Sequence, residues 1–428
     1  MAIFFGVPGA AQLRSQTAPP PRQSKERHSR TPDPNQTMTA AQAALNRQDY
    51  ATAINDLKPL VKAYPNAAPA WFNLAYAYTG LHQNEAAVDA YQKTIKLDPK
   101  LFQARLNLGI LLMIMNRPAD ALPQLKEAVA LKPGDPRAHL YAGRAEARAG
   151  STAGAEKEFQ EAAHLQPNSG EAFLDLGRLD FKKGDYAGAR DAFEKASALD
   201  PKLTEAKLGA GLSLENLKQD VLAVPYFEEY LAANPDDTKT RFDLARIEMN
   251  LGNYSQGLAG LKEVEKQNPS LQGLNGALGD AYAMLQQFPA SEKYYRLALA
   301  ANSGPPGLDR ALGETLMHEK NFAGAETEFR AALKLDPANR DAANGLAASL
   351  YFQKRYADAI PVLLRVVQTP PATLGNYFLL ATSYDHLHDL RPAIAAYQRF
   401  LSLSQGKDPD QEWQAQQRIK LLKHELER

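Results

Sequence analysis

Cysteine does not occur anywhere in the 428 residues. Disulfides, thiolate nucleophiles and thiolate metal sites are excluded with it, and so complete an absence in a long chain favours an exported protein over a cytoplasmic one. Excess charge is missing too, since 49 Lys and Arg balance 49 Asp and Glu. Nothing supplies the basic field that nucleic-acid binding needs. No run of 18 apolar residues occurs, so no transmembrane helix is expected. Catalytic signatures are lacking as well: there is no nucleophile elbow, phosphate loop or HExxH. Gly209-Ala210-Gly211 falls inside a helical pattern rather than after a strand. The chain is expected to be no enzyme and to carry no cofactor or metal.

What the sequence does have is a period. In Ala68–Pro99, Trp71, Leu74, Ala75 and Tyr78 recur at helical spacing, and Ala87, Ala90, Tyr91, Thr94 and Ile95 do so again. The short polar stretch Gly80–Asn84 folds the two segments back as an antiparallel pair. Pro99 stops the second helix. With Ala68 as position 1 of a 34-residue unit, eleven units run from Pro34. Position 32 is proline in nine of them, where 28 prolines spread at random would supply fewer than one. Position 8 is always Ala or Gly, and position 20 is Ala except for Gly257 and Ser291. Position 24 is always large: Leu57, Tyr91, Leu125, Phe159, Phe193, Phe227, Leu261, Tyr295, Phe329, Leu363 and Tyr397. Small residues thus face large ones at fixed places along the whole array.

Trp71, Leu74, Ala75, Tyr78, Ala87, Tyr91 and Pro99 follow a W-x2-L-G/A-x2-Y…A-x3-F/Y…P pattern. This resembles the tetratricopeptide repeat, from Pro34 to about Lys407. The resemblance implies an all-α, right-handed superhelical solenoid of eleven helix pairs, residues 34–407, whose first helices line a concave groove. Residues 408–428 read as one further helix, its Trp413, Ile419, Leu422 and Leu426 covering the last pair as a solubilising cap. Residues 1–33 stand outside the array. Their prolines and basic residues read as disorder, and MAIFFGVPGAAQ is similar to the tail of a secretory signal without its basic start. Ser303–Gly307 and Thr369–Pro371 interrupt the pattern and are candidate joints. Pro123, Pro225 and Pro361, at position 22, sit close enough to a helix start to be tolerated.

In solenoids of this family positions 2, 5, 9, 12 and 13 face the groove. Here they divide into an apolar zone of Phe72, Tyr76, Leu106, Ile110 and Met113, and a basic zone of Arg137, Arg144, Arg148, Arg178 and Lys182. Asn73 and Asn107, at position 6, resemble two rungs of the asparagine ladder with which repeat arms hold extended peptides. The Lys and Asn pair of the family's carboxylate clamp is absent. The expected partner is a protein or peptide, an apolar-plus-acidic segment laid across repeats 2 to 5. Against this stands a plainer reading, with the apolar residues as core and the arginines as a solvated face paired with Glu171, Asp175 and Asp180. His386-x-His388 reads as a turn rather than a metal site, and Asn253-Tyr254-Ser255 as a chance sequon. A binding scaffold is the preferred function. The alternatives are the substrate-recruiting arm of an enzyme complex and an exported envelope assembly or secretion factor.

Overall fold

The computed structural model describes residues 33–301, 307–368 and 374–428. The signal-like and disordered reading of residues 1–31 and the two candidate joints fall largely outside them. Among the described residues there are 23 helices and no strand. The chain divides into two compact units between Tyr226 and Phe227, a boundary that the repeat pattern does not mark.

The first unit contains α1 (Pro34–Asn46), α2 (Tyr50–Ala63), α3 (Ala68–Gly80), α4 (Asn84–Leu97), α5 (Phe102–Ile114), α6 (Pro118–Leu131), α7 (Pro136–Arg148), α8 (Thr152–Leu165), α9 (Gly170–Lys183), α10 (Tyr186–Leu199) and α11 (Thr204–Asn216). The dividing point lies within α12 (Asp220–Ala233). The second unit continues with α13 (Thr238–Asn250), α14 (Tyr254–Gln267), α15 (Leu274–Met284), α16 (Phe288–Ala300), α17 (Leu308–His318), α18 (Phe322–Leu335), α19 (Arg340–Phe352), α20 (Tyr356–Gln368), α21 (Leu374–His386), α22 (Leu390–Ser404) and α23 (Pro409–Leu426). Nine of the eleven first helices begin at position 1 of their repeat; α15 and α17 begin two residues later, behind Gly273 and Gly307 in left-handed backbone.

Each helix pair is held by its position-24 side chain, which is no more than 3% exposed in any repeat. Phe193 shows why the facing residues are small. A Cβ added to Gly177 of the same repeat would come within 2.6 Å of one side of the ring, and one on Gly209 of the next repeat within 2.6 Å of the other. One ring therefore fixes two distances, within a repeat and between repeats.

The proline at position 32 has a second role besides ending a helix. Its carbonyl accepts a hydrogen bond from position 4 of the following repeat: Trp71 Nε1 to Pro65 (2.9 Å), Arg105 Nε to Pro99 (2.9 Å), His139 Nε2 to Pro133 (2.8 Å) and Arg241 Nη2 to Pro235 (2.8 Å). Quite different side chains do the same job because the helix end leaves that acceptor without a backbone donor. Asp33, Asp135, Ser169, Asp237 and Asn339 cap the starts of first helices from position 34. Position 15, just past each first helix, has positive φ in all eleven repeats, although only Gly150, Gly184 and Gly252 are glycines there. Gln48, His82, Asn116, Lys218, Gln286, Lys320, Lys354 and His388 adopt the same left-handed turn.

Two expectations need correcting. Pro123, Pro225 and Pro361 lie inside α6, α12 and α20 rather than at their starts, as does Pro59 in α2. In the terminal helix α23, Ala415 and Leu422 are buried and Ile419 packs partly, but Trp413 is 63% and Leu426 45% exposed. The buried stripe runs only from Ala415 to Leu422.

Two outcomes follow from this packing. Tyr91→Ala empties a fully buried position and should cost about 3–5 kcal/mol. By hydrogen exchange the loss of protection should stay in repeats 1 to 3, because each repeat contacts only its neighbours; uniform loss along the chain would contradict that. Lys354→Gly relieves a left-handed lysine and should raise stability by about 0.5–1 kcal/mol in denaturant unfolding.

Candidate functional site

The first helices of repeats 3 to 5, α5, α7 and α9, share one open cavity of about 590 Å³. Its apolar side comes from Ile110, Met113, Ile114, Leu174 and Leu179, and Tyr141 stands beside them. Ile114 is the exposed member of this side, at 55%. Four cations, Arg144, Arg148, Arg178 and Lys182, and two carboxylates, Glu171 and Asp175, complete the lining.

Asp175 is the hub of the charged side. Buried in α9, it accepts from Arg144 Nε at 2.5 Å and from Arg178 Nη1 at 2.9 Å. Arg144 reaches Glu171 at 3.0 Å with its other arm, and Arg178 pairs with Glu205 of the next repeat. Burial works against the Arg144 charge, but Asp175 and then Glu171 outweigh it and hold the guanidinium above its ordinary range. Desolvation likewise raises the Tyr141 phenol, whose ring lies 5.1 Å from the Arg144 guanidinium. Two cations remain. Arg148 donates to the Met113 carbonyl at 2.9 Å and meets no carboxylate; Lys182 makes no hydrogen bond or ion pair among the described residues. They occupy position 13 of successive repeats, with Ile114 at the same position one repeat earlier.

The sequence-derived groove residues separate into three groups. Ile110, Arg144, Arg148, Arg178 and Lys182 come together in the cavity. Phe72, Leu106 and Ile110 are not the free apolar strip expected of them, being 0%, 1% and 2% exposed within one core cluster that also holds Tyr91 and Leu125. Successive first helices pack closely enough here to cover Phe72, Leu106 and Ile110, so only the edge of Ile110 borders the cavity. Phe72 meets the Tyr91 ring edge-on at 5.9 Å, and half-buried Tyr76 meets Tyr50 at 6.3 Å. The asparagine ladder is corrected in the same way. Asn73 and Asn107 are 2% and 1% exposed, and Asn107 Nδ2 donates to the Tyr91 hydroxyl at 3.4 Å. Position 6 faces the preceding repeat's position-24 residue, not a ligand. In repeat 1 that residue is Leu57, which has no hydrogen-bonding group to offer, and the buried Asn73 Oδ1 has no donor.

Arg137 is held by Asp135, the capping residue of its own helix, at 3.0 Å. Of the carboxylates expected to neutralise the basic zone, Glu171 and Asp175 do so, whereas Asp180 pairs with Lys183 at 3.2 Å. His386 stacks on Tyr356 with ring centroids 4.3 Å apart, and His388 occupies a left-handed turn 3.8 Å from Glu425. Asn253 donates to Glu248 at 2.6 Å. The residues that sequence reasoning missed are Ile114 and Glu205. Both had a signal in the register: Ile114 is at groove position 13 with Arg148 and Lys182, and Glu205 is at position 2, where Glu171 one repeat earlier pairs with Arg144 as Glu205 pairs with Arg178.

Family models for the tetratricopeptide repeat match residues 38–101, 106–170, 174–238 and 310–372, and a further one matches 221–274. Solved structures with partial likeness include MamA (residues 41 to the end) from Desulfovibrio magneticus RS-1, at 25% identity over 40% of this chain and 98% of that one, with a TM-score of 0.39. PilW, a type IV pilus biogenesis factor, is 24% identical over 47% of this chain and 94% of its own, with a TM-score of 0.42. The C-terminal part of a repeat protein from Cytophaga hutchinsonii is 17% identical over 56% and 99%, with a TM-score of 0.49. No curated protein matches the chain. The period, the small-against-large packing and family matches over more than half the residues agree: this chain belongs to the tetratricopeptide repeat family.

Proposed function

We propose that the chain is a non-enzymatic scaffold that binds an extended, apolar-plus-acidic segment of a partner protein in the cavity of repeats 3 to 5. The observation that carries this is the surplus of charge in an otherwise self-neutralised cavity. Arg144 and Arg178 are committed to Asp175, Glu171 and Glu205, so they position the walls rather than the ligand. Arg148 and Lys182 are left to meet an Asp or Glu side chain, and Ile114 with Met113 offers the apolar seat beside them. The arrangement supports the apolar-to-acidic order read from the sequence, but over a shorter span, with Met113, Arg148 and Lys182 retained and Ile114 added. Concave surfaces of mixed apolar and cationic lining are ordinary peptide-binding surfaces.

The variant Arg148→Ala with Lys182→Ala should leave the fold intact, since neither residue holds a carboxylate. Partners captured by the wild-type chain and quantified by mass spectrometry should fall at least tenfold with this variant. For a purified partner the loss should lie mainly in the association rate and shrink as salt rises. Ile114→Ala should instead speed dissociation. Undiminished capture by both variants would remove the cavity as the site. Asp175→Asn is the structural counterpart: by leaving two arginines short of a counter-charge it should destabilise repeats 4 and 5 by about 1–3 kcal/mol in denaturant unfolding.

A further inference from the structure

The second unit holds a cavity of a different kind, of about 560 Å³, between α19, α21 and the terminal helix α23. Aromatic rings dominate its walls: Tyr351, Phe378, Tyr397 and Trp413. Trp413 is the exception among large side chains here. It is 63% exposed in a helix that otherwise shows solvent mainly polar residues, although Leu421 and Leu426 also reach the surface. Its indole N–H makes no hydrogen bond among the described residues, and neither do the amides of Gln414 and Gln417 beside it.

The cavity's one strong charge pair is closed on itself. Asp385 Oδ1 accepts from Arg418 Nη2 at 2.6 Å, while Oδ2 accepts from Arg418 Nε at 2.7 Å and from the Tyr397 hydroxyl at 3.1 Å. Both carboxylate oxygens are used and the guanidinium fork is bidentate. A basic segment finds no free carboxylate; an acidic one finds a guanidinium already engaged with Asp385 behind it, His386 stacked on Tyr356, and His388 3.8 Å from Glu425. The matching ligand is uncharged, has flat apolar faces, and brings hydrogen-bond acceptors to unused donors.

From this we infer that the cavity takes a proline-rich, uncharged segment of a partner protein in the polyproline II conformation. Such a chain has no internal hydrogen bonds, so its carbonyls need outside donors. Gln414, Gln417 and the Trp413 indole supply them. Its pyrrolidine rings pack between aromatic faces, as Tyr351, Phe378 and Trp413 offer. The site lies in the other unit from the cavity of repeats 3 to 5, so either can fail without the other.

The chain has only two tryptophans, and one of them is in the wall. Titrating the full chain with a blocked, uncharged hexaproline peptide should move the tryptophan emission saturably to shorter wavelength, and Trp413→Phe should abolish the shift. By calorimetry, Trp413→Ala should weaken binding at least tenfold and Gln417→Ala about threefold, while Arg148→Ala with Lys182→Ala should leave it unchanged. Both α23 side chains are accessible enough for the fold to survive. No saturable shift, or equally tight binding of blocked hexaglutamate or hexalysine, would overturn the assignment. The chain's own Pro19-Pro20-Pro21 is the longest proline run in the sequence and so the strongest internal competitor. Replacing all three by Ser in the full chain should not alter the hexaproline affinity. Tighter binding in that variant would hand the cavity to the chain's own run and overturn the partner assignment.

Discussion

A large side chain at position 24 wedged against methyl-sized neighbours is the contact on which the rest of this structure depends. Phe193 touches Gly177 of its own repeat and Gly209 of the next, so one residue sets the spacing inside a helix pair and between pairs. Phe329 stands in the same relation to Gly313 and Gly345. Everything else follows at short range. Close approach of successive first helices buries position 5 in repeats 1 to 5, turns position 6 into an inter-repeat contact, and leaves position 13 of repeats 3 to 5 at the open edge. The ligand-facing chemistry is then confined to a few side chains that the packing does not consume.

That confinement explains how the proposed binding face is built. In repeats 4 and 5 the packing brings Asp175 of one first helix beside Arg144 of the previous one, 31 residues earlier, and the charges cancel there. The surplus appears only where the neighbouring repeat has no carboxylate to offer, at Arg148 and Lys182. In the last repeats the same logic gives a neutral wall, because Arg418 of the terminal helix closes on Asp385. One backbone plan thus carries two cavities of opposite character, one with free cations and one with a largely aromatic, charge-neutral wall. Each rests on its own unit.

Most of the architecture was legible in the sequence, because it is repeated. Eleven copies of a small position 8 and a large position 24 are hard to misread, and the first helices begin where the register places them, with two starting late. The binding surface was less legible, for a physical reason. Phe72 and Leu106 look like groove residues by position, yet whether a position-5 side chain is exposed depends on how near the next helix lies, a distance set by residues in another repeat. The pairing of Arg144 with Asp175 and Glu171 appeared only as one of two readings, since a cross-repeat ion pair leaves no local trace. The left-handed turn at position 15 was invisible, because Lys, Gln, His and Asn fill it alongside Gly. Ile114 and Lys182 emerge as neighbours in one cavity only after the covered residues are removed from the groove.

The central claim is energetic: the position-24 ring and the small residues beneath it act as one contact, not as two independent preferences. A double-mutant cycle on Gly177→Ala and Phe193→Leu in the full chain, read by denaturant unfolding, addresses it directly. Adding a Cβ at Gly177 should cost about 1–3 kcal/mol while the ring is present. Shrinking the ring should relieve much of that cost, giving a coupling energy of about 1 kcal/mol or more. If the two substitutions instead add to within about 0.5 kcal/mol, the ring does not set the helix spacing and this account of the fold is wrong.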